Sequence, residues 1–551
     1  MHLAFLDWAV VGAYLLVVTA IGLIAGRRVR KTGEFFLGRR QFGPWLMIGQ
    51  SFGVGTHAEM PVALAGAVYS SGASGIWYQW KNLFITPFYW IMAPVFRRIR
   101  RTTMAEFTED RYGSWMSAIY IVFAVTFLVI NTGSMLKGAG KVISQATGGG
   151  VGVNEIVVVM TVLFMLYSLV GGLVAAAWTD LFQGVLIIVL SFMLVPLGWR
   201  LVGGLHGMQA SLEPFRFSLA TPSGVGPWAI AMLTVNGLVG IMSQPHQLAA
   251  VGTGRDERTC RVGMLAGNMV KRVCTFGWAL VGLIVAAVVV QGHAGGAVLG
   301  DPEDAFGLAC RLLLAPGALG LMIASILAAN MSTCSAFLVD SGALFTEGLY
   351  RRHVAPNRPD RHYLRVGRLS GLVITLLGVF YAVYLVQSVL YSFLLTETLA
   401  TFIGISVLGG IVWRRANRWG AIASLLSALA TNFVLYAWTG QRLDHWDPNV
   451  FLAALLVGTA ALIIVSLATP PEPAPAMASF FSRLQTSSDG NDAATRAVDR
   501  EDPLLLVNIL QPGRGAAGRG WRAYREDLWG FAIGWVAVFA LVAGAAAFLA
   551  W

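Results

Sequence analysis

Long runs of apolar residues, separated by short polar loops, follow one another along the whole chain. Examples are Val10–Ala25, Val157–Leu173 and Phe451–Ala468. A run of about 20 apolar residues is long enough to cross the hydrocarbon core of a bilayer as a helix. In lipid only helices and closed barrels satisfy every backbone hydrogen-bonding group. The pattern therefore predicts an all-α polytopic membrane protein, embedded in the lipid bilayer.

We expect about fourteen membrane-spanning helices, and each expected span is an apolar run bounded by polar or turn-forming residues. They fall at residues 5–26, 45–70, 74–96, 114–146, 154–172, 174–202, 226–250, 258–291, 303–349, 366–387, 389–412, 418–439, 448–469 and 527–550. The polar stretch between the last two, residues 470–526, is rich in Pro, Ser and Asp. Its composition predicts a partly disordered linker.

Charge supports the membrane interpretation and predicts the orientation. Only 12% of residues are charged, 56% are hydrophobic and the net charge is +11. The basic residues lie in alternate short loops, as expected of the cytoplasmic side of a membrane protein and not of a nucleic-acid-binding domain. With fourteen spans, this places both termini outside, with the chain in the plasma (inner) membrane.

Two of the expected spans are interrupted at matching places. The second span contains Gly53, Gly55 and Pro61, and the seventh contains Gly237, Gly240 and Pro245. The two spans lie five apart, so the second copy enters the membrane from the opposite side. Paired Gly/Pro-broken helices in inverted units are typical of the central site of secondary transporters. A chance occurrence remains the alternative, because Gly and Pro are frequent in membrane helices.

Several motifs resemble those of the sodium:solute symporter family, which includes sodium/proline and sodium/sugar symporters. The motifs are FFLGRR at Phe35–Arg40, LYSLVGGLVAAAWTDLFQ at Leu166–Gln183, AANMSTCSAFLVDSGALFTEGLY at Ala328–Tyr350 and WRRANRWGA at Trp413–Ala421. The resemblance implies a LeuT-like five-plus-five inverted repeat. The chain then divides into a first span and cytoplasmic loop (1–44), a first five-helix repeat (45–204), an inverted second repeat (205–415), two accessory spans (416–469), a cytoplasmic linker (470–526) and a final span (527–551).

The resemblance also implies a sodium site. The family's principal site uses backbone carbonyls of the first broken helix and a carbonyl and two hydroxyls of the ninth span. These positions fall on Gly53, Thr56, Ala329, Ser332 and Thr333. The last three share one face of a helix, and neutral oxygens suit a hard monovalent cation. Without the resemblance, Ser and Thr bonded to their own helix backbone would be the preferred interpretation.

Asp180 lies in the WTD motif, where the family places an aspartate associated with sodium exit or with a second sodium site. An ionisable group at mid-bilayer costs roughly 2.5–3.5 kcal/mol, so it is a functional candidate; an interfacial helix cap is the alternative. Ser335 is present where a second sodium site needs a serine, but Ala336 follows it. We therefore expect one sodium ion per solute.

Candidate solute-binding residues lie between the two broken helices and the helices that face them. They are His57, Met60, Gln79, Asn82, Asn236 and Lys271, with Glu59 and Gln244 as further polar neighbours. Gln79, Asn236 and Lys271 fall near positions that the sugar branch uses, whereas Phe393 replaces a glutamine of that branch. Glu397 is polar on the eleventh span but could equally face the outer loop. A sugar, an amino acid and a carboxylate all stay open as solutes.

The sequence thus predicts a monomeric sodium-coupled symporter of a small organic solute, working by alternating access. A membrane solute sensor with a transporter-like bundle is the alternative, although the linker carries no signalling module. We expect no enzyme activity, because no Ser/His/Asp, HExxH or P-loop arrangement occurs at usable spacing.

Overall fold

The regular structure of this chain consists almost entirely of helices. The structure, a computed structural model, describes residues 3–26, 31–295, 299–440, 446–487, 503–510 and 520–551. Part of the arginine-rich loop after the first span (27–30) lies outside the described residues. So do residues 488–502 and 511–519, which belong to the segment 470–526 that was expected to be partly disordered.

The helices of the first half begin and end close to the expected positions. They are α1 (Phe5–Gly26), α2 (Thr32–Leu37), α3 (Pro44–Val54), α4 (Glu59–Ser71), α5 (Trp77–Ile85), α6 (Phe88–Ile99), α7 (Met104–Tyr112), α8 (Ser114–Ala146), α9 (Val153–Phe192), α10 (Leu194–Leu201) and α11 (Gly204–Ser211). Those of the second half are α12 (Pro227–Gly240), α13 (Pro245–Gly252), α14 (Glu257–Val290), α15 (Ala305–Leu313), α16 (Ala318–Phe345), α17 (Asp360–Tyr384), α18 (Val389–Val412), α19 (Arg418–Thr439), α20 (Pro448–Ala468), α21 (Ala474–Gln485) and α22 (Arg525–Ala550).

Ten helices in the described part of the chain are long and apolar enough to cross a membrane. They are α1, α8, the second half of α9, α14, α16 with its continuation to Val354, α17, α18, α19, α20 and α22. The other four expected spans consist of shorter helices: α3 with α4, α5 with α6, the first half of α9, and α12 with α13. The count of fourteen spans therefore stays a prediction, while the all-helical membrane class is shown.

Both predicted helix interruptions are present. Helix α3 ends at Val54 and α4 begins at Glu59, while α12 ends at Gly240 and α13 begins at Pro245. Proline is well tolerated in the first turn of a helix, where its missing N–H would have no partner anyway. Pro245 accordingly starts the second segment, and its predecessor Gln244 is extended. At both breaks, backbone carbonyls lie outside the regular i→i+4 hydrogen-bonding pattern of a helix.

Gly172 produces the sharp change of direction inside α9. Its φ of +55° lies in the left-handed region, and an added Cβ would lie 2.6 Å from the carbonyl oxygen of Phe35. Only glycine fits this conformation and this close approach. The kink separates the two apolar segments that the sequence predicts as spans 154–172 and 174–202.

Helix α16 occupies the centre of the bundle. It packs against α1, α3, α8, α9 and α17, and its most apolar 18-residue window is completely buried. Polar side chains on α16 therefore contact other helices and not lipid. Since a buried polar group without a partner is costly, the few hydroxyls on this helix are expected to have specific partners.

Residues 470–487, which we call the strap, cross the arginine-rich end of the bundle. Within the strap, α21 packs Phe480 against Phe107 of α7, with ring centroids 5.4 Å apart. Arg98 of α6 donates a 3.1 Å hydrogen bond to the carbonyl of Leu484. This part of the expected linker is thus helical and attached to the bundle. The final helix, α22, packs against α5 and α6.

Candidate functional site

Two hydroxyls of α16 face the interruption between α3 and α4. The hydroxyl of Thr333 donates to the carbonyls of Gly53 (3.4 Å) and Val54 (3.3 Å), at the last turn of α3. The neighbouring hydroxyl of Ser332 donates a 2.5 Å hydrogen bond to Oδ1 of Asp180 on α9. All of these residues are buried. Three helices that are distant in sequence therefore meet at one cluster of oxygens.

Unpartnered oxygens lie in the same cluster. Thr56 Oγ1 and Asp180 Oδ2 are buried and have no hydrogen-bond partner in the part of the chain that the structure describes. Ala329, one turn before Thr333, is fully buried. The donor set of carbonyls, hydroxyls and one carboxylate fits a hard cation such as Na⁺, which prefers oxygen ligands.

Gly53 permits the close approach of these helices. An added Cβ would lie 3.0 Å from Ser332 Oγ and 3.1 Å from Asp180 Cβ, closer than side-chain atoms normally pack. The backbone of α3 consequently lies against both side chains. The family resemblance implied Gly53 as a residue whose backbone carbonyl would bind sodium. Val54 was not predicted, because any residue type can supply a backbone carbonyl and the side chain gives no indication of it.

Ser335 and Asn330 have structural partners on or near α16. The hydroxyl of Ser335 donates to the carbonyl of Ser332 at 2.8 Å, one turn back on the same helix. The side chain of Asn330, which the sequence analysis passed over, accepts from the backbone N–H of Ala58 (3.4 Å) and donates to the carbonyl of Met135 (2.9 Å). Asn330 thereby ties the start of α4 and the middle of α8 to α16.

A cavity lies between the two broken helices and is closed by α14, α16 and α18. Of the predicted solute residues, His57, Met60, Asn82 and Lys271 line it. Further lining residues come from the second broken helix and its neighbours: Gly237, Ile241, Gln244, His246, Asn268, Arg272, Phe337, Phe393, Thr396 and Glu397. The cavity is adjacent to the oxygen cluster, since Val54 and Gly55 also line it.

Gln79 and Asn236 do not line this cavity. The amide of Asn236 donates to Thr398 Oγ1 (3.3 Å) and accepts from Thr401 Oγ1 (2.6 Å), so it joins α12 to α18. Gln79 is buried, and its carbonyl accepts a 3.4 Å hydrogen bond from Arg272. Both predicted solute residues thus support the helices around the cavity.

The charged residues of the cavity form a network that crosses several helices. His57 Nδ1 contacts Oε1 of Glu59, and Lys81 Nζ contacts Oε2 of Glu397. Lys271 donates to the carbonyl of Gly55 in the first helix break. Glu397 does not face an outer loop, because its side chain is only 7% exposed.

Sequence reasoning missed Lys81, Arg272 and His246 as cavity-associated residues. Arg272 donates to Asn268 Oδ1 at 3.4 Å, and the ring of His246 lies between Phe127 and Phe337, with centroids 6.0 and 5.1 Å away. An ionisable residue within a predicted span is a functional candidate by default. That rule could have identified Lys81 and Arg272.

Comparison with known proteins identifies the class. The sequence model of the sodium:solute symporter family matches residues 35–427, most of the chain. The protein belongs to the sodium:solute symporter family and is an integral membrane protein of the transporter class. Among its relatives, the osmoregulated proline transporter OpuE of Bacillus subtilis (strain 168) is 26% identical over 488 residues, covering 85% of this chain and 95% of the relative.

Other relatives give the same picture. The high-affinity proline transporter PutP of Bacillus subtilis (strain 168) is 26% identical over 475 residues, covering 81% of this chain and 93% of the relative. The solved structure of a Na⁺-coupled sialic acid symporter, substrate-bound and outward-open, superposes with a TM-score of 0.71 at 18% identity, covering 85% of this chain and 99% of the other. Mhp1, a nucleobase-cation-symport-1 family transporter, superposes in a closed conformation with a TM-score of 0.53 at 15% identity, covering 82% and 98%. These structural likenesses confirm the all-α, LeuT-like fold.

Proposed function

We propose that the protein is a secondary active transporter that couples the inward movement of Na⁺ to the uptake of a small organic solute. The family membership supports the transporter class, and the oxygen cluster supports sodium as the coupling ion. The strongest support for this proposal is one contact between α16 and the break of α3. The hydroxyl of Thr333 reaches two backbone carbonyls at the break of α3, beside the Ser332–Asp180 hydrogen bond.

The proposed ligands are the carbonyls of Gly53, Val54 and Ala329 with the hydroxyls of Thr56, Ser332 and Thr333. Asp180 lies next to them and supplies a negative charge within the bilayer. Ser335 is bonded to its own helix, so we propose one sodium ion per solute and assign Asp180 to sodium exit.

The proposed architecture is a five-plus-five inverted repeat with fourteen spans. The matching breaks at α3–α4 and α12–α13 support it, because each interrupts one helix of a repeat. The arginine-rich loops support a cytoplasmic location for the strap and outside positions for both termini in the plasma membrane. We propose that the chain acts as a monomer.

The mechanism that follows is alternating access around the shared site. The break of α3 contributes Gly53 and Val54 to the oxygen cluster and Gly55 to the cavity, so a cation at the cluster orders residues that line the cavity. Coupling of this kind is reciprocal: sodium and solute raise each other's affinity by the same factor. Movement of one positive charge inward gains about 2.3 kcal/mol per 100 mV of membrane potential.

The candidate solutes are a sugar, an amino acid or a carboxylate. The named relatives transport proline, which makes a proline-like solute the first probe. His57, Met60, Asn82 and Lys271 are the residues that we propose contact the solute, with Gln79 and Asn236 supporting them.

Reconstitution into proteoliposomes tests the proposal. Purified protein is screened for solutes that raise its melting temperature more in Na⁺ than in K⁺, starting with L-proline. A stabilising solute is then offered to proteoliposomes with an inward Na⁺ gradient or an equal K⁺ gradient. We expect saturable, concentrative uptake in Na⁺ alone. Sodium-dependent binding without any uptake would instead identify a solute sensor, and equal uptake in both gradients would refute sodium coupling.

A further inference from the structure

The buried charges around the solute cavity do not balance. The ionisable side chains that line the cavity, taken with their ion-pair partners, include the cations Lys81, Lys271 and Arg272 and the carboxylates Glu59 and Glu397. Each of the five is at most 6% exposed. With His57 and His246 counted as uncharged, one positive charge is left over. Protonation of either histidine would increase this excess.

Pairing shows where the excess charge lies. Lys81 is paired with Glu397 and lies over the ring of Phe393, 5.0 Å from its centroid. Glu59 is paired with His57. Across the described ranges, Lys271 and Arg272 form no ion pair, and both line the cavity.

The polar contacts of these two cations are to neutral groups. Lys271 donates to the carbonyl of Gly55, and Arg272 donates at 3.4 Å to the carbonyl of Gln79 and to Oδ1 of Asn268. The Nε of Arg272 is buried without a partner among the residues that the structure describes. Both side chains therefore have N–H donors that could bind an anion, and Asn268 lies beside them.

The sodium site does not remove the imbalance. Asp180 is hydrogen-bonded to Ser332 on the side of α3 where Gly53 lies, so it offsets the charge of the bound Na⁺. An uncompensated charge in a low-dielectric interior is strongly unfavourable. A zwitterion such as proline brings no net charge to offset it.

We infer that the transported solute is an organic monocarboxylate without an ammonium group, bound through its carboxylate by Lys271 and Arg272. This inference rests on the proposed sodium-coupled transport and specifies its substrate class. It has a direct electrical consequence. One Na⁺ moving with one monoanion carries no net charge, whereas one Na⁺ moving with a zwitterion carries one positive charge.

A matched pair of probes separates the two solute classes. Cyclopentanecarboxylate has the ring and carboxylate of L-proline but carries a methylene group where proline has its charged nitrogen. In proteoliposomes with an inward Na⁺ gradient, we expect cyclopentanecarboxylate to bind at least about tenfold more tightly than L-proline, because the ammonium group of proline adds a positive charge to a buried cavity that already has one in excess. We expect its uptake to produce no current on a solid-supported membrane.

The outcomes distinguish this inference from the proposed function. Sodium-driven, current-carrying uptake of L-proline at equal or higher affinity would overturn the monocarboxylate inference and leave sodium symport intact. Failure of cyclopentanecarboxylate to bind or compete in Na⁺ would also overturn it. If Na⁺ neither stabilises the protein nor drives uptake of any probe, the proposed function itself fails.

Substitution of Lys271 provides a second test, in which the binding preference of variants is compared with that of the native protein. We expect Lys271→Gln to bind cyclopentanecarboxylate at least about tenfold more weakly than the native protein does. The variant should instead prefer the neutral isostere cyclopentanecarboxamide. Lys271→Arg should retain the anion preference. Lys31→Gln, which removes an exposed charge far from the cavity, is the matched control, and stabilisation by Na⁺ verifies that each variant is folded. An unchanged preference in Lys271→Gln would contradict the inference.

Discussion

The hydroxyl of Ser332 on α16 donates a 2.5 Å hydrogen bond to Oδ1 of Asp180 on α9, and both residues are completely buried. A hydrogen bond to an ionised carboxylate is short and roughly twice as strong as a neutral one. The second carboxylate oxygen has no hydrogen-bond partner in the described residues, and a Cβ added to Gly53 would lie 3.1 Å from Asp180 Cβ. The contact therefore holds the carboxyl group of Asp180 against the break of α3, where the oxygens proposed to bind Na⁺ converge.

Removing the α16 hydroxyls should weaken sodium binding. We expect Ser332→Ala and Thr333→Ala each to raise the sodium concentration for half-maximal stabilisation by at least about tenfold, which corresponds to roughly 1.4 kcal/mol. The measurement is the melting temperature in detergent as a function of Na⁺ concentration.

Ser325→Ala is the matched control for these variants. Ser325 is a buried serine two turns earlier on α16, and its hydroxyl donates to the carbonyl of Leu321 at 2.8 Å. Its substitution should leave the sodium titration unchanged. A normal sodium response in both Ser332→Ala and Thr333→Ala would refute the assigned site.

Adding one methyl group at Gly53 should disturb the proposed sodium site from the side of α3, opposite the hydroxyls of α16. The new Cβ would lie 3.0 Å from Ser332 Oγ and 3.1 Å from Asp180 Cβ, so these side chains or α3 itself must shift by a few tenths of an ångström. Overpacking of this kind costs about 1–3 kcal/mol, and we expect both the melting temperature and the sodium affinity of Gly53→Ala to fall. Gly252→Ala on α13, where a Cβ meets nothing within 4 Å, should change neither. Equal behaviour of the two variants would show that the close approach is unimportant.

Features carried by local patterns could be predicted from the sequence. Gly and Pro within an apolar run predicted the interruptions of α3–α4 and α12–α13, because these residues destabilise the interior of a helix. Ser332 and Thr333 follow Ala329 on α16 by three and four residues, a spacing that by itself places all three near one face of the helix. These predictions needed no knowledge of which helices are neighbours in space.

Features that depend on distant contacts could not be predicted. The ion pair of Lys81 with Glu397 joins residues 316 positions apart, and nothing near either residue identifies the partner. The composition of the strap favoured disorder, yet Ala474–Gln485 is helical with Phe480, Phe481 and Leu484 buried. Its helical form depends on the groove between α6 and α7, since a short isolated helix is only marginally stable in water.

Acid should loosen the strap from the bundle. Burial by itself would raise the pKa of Glu472, but hydrogen bonds from the backbone and guanidinium of Arg418 outweigh it and hold this pKa below its ordinary value. A carboxylate with a lowered pKa contributes stability above its unfolded pKa of about 4.3, and this stability is lost as pH falls through the lower folded value. Because the Arg418 side chain is 41% exposed, solvent screens the pair, and we expect a contribution of roughly 1 kcal/mol.

Comparison of Glu472→Gln with the native protein at several pH values measures this contribution. Limited proteolysis within residues 470–487 should be faster in the variant at pH 7, and the difference should disappear toward pH 3. Glu213→Gln, at an exposed position whose side chain makes no cap hydrogen bond, is the control and should match the native protein throughout. A difference that persists at low pH would mean that the carboxylate charge is not the cause.

The Lys81–Glu397 pair should show strong coupling in a double-mutant cycle. Both side chains are nearly sealed from solvent, so Lys81→Met leaves an unpaired buried carboxylate and should cost about 3–5 kcal/mol, lowering the melting temperature. Adding Glu397→Gln removes that charge and should recover most of the lost stability. Arg255→Gln, which breaks a largely exposed pair, should cost less than about 1 kcal/mol. Since the double variant preserves the excess positive charge of the cavity, it should also retain the preference for cyclopentanecarboxylate, whereas Lys81→Met alone should weaken it. Additive losses in the cycle would show that the two residues do not form a pair within the membrane.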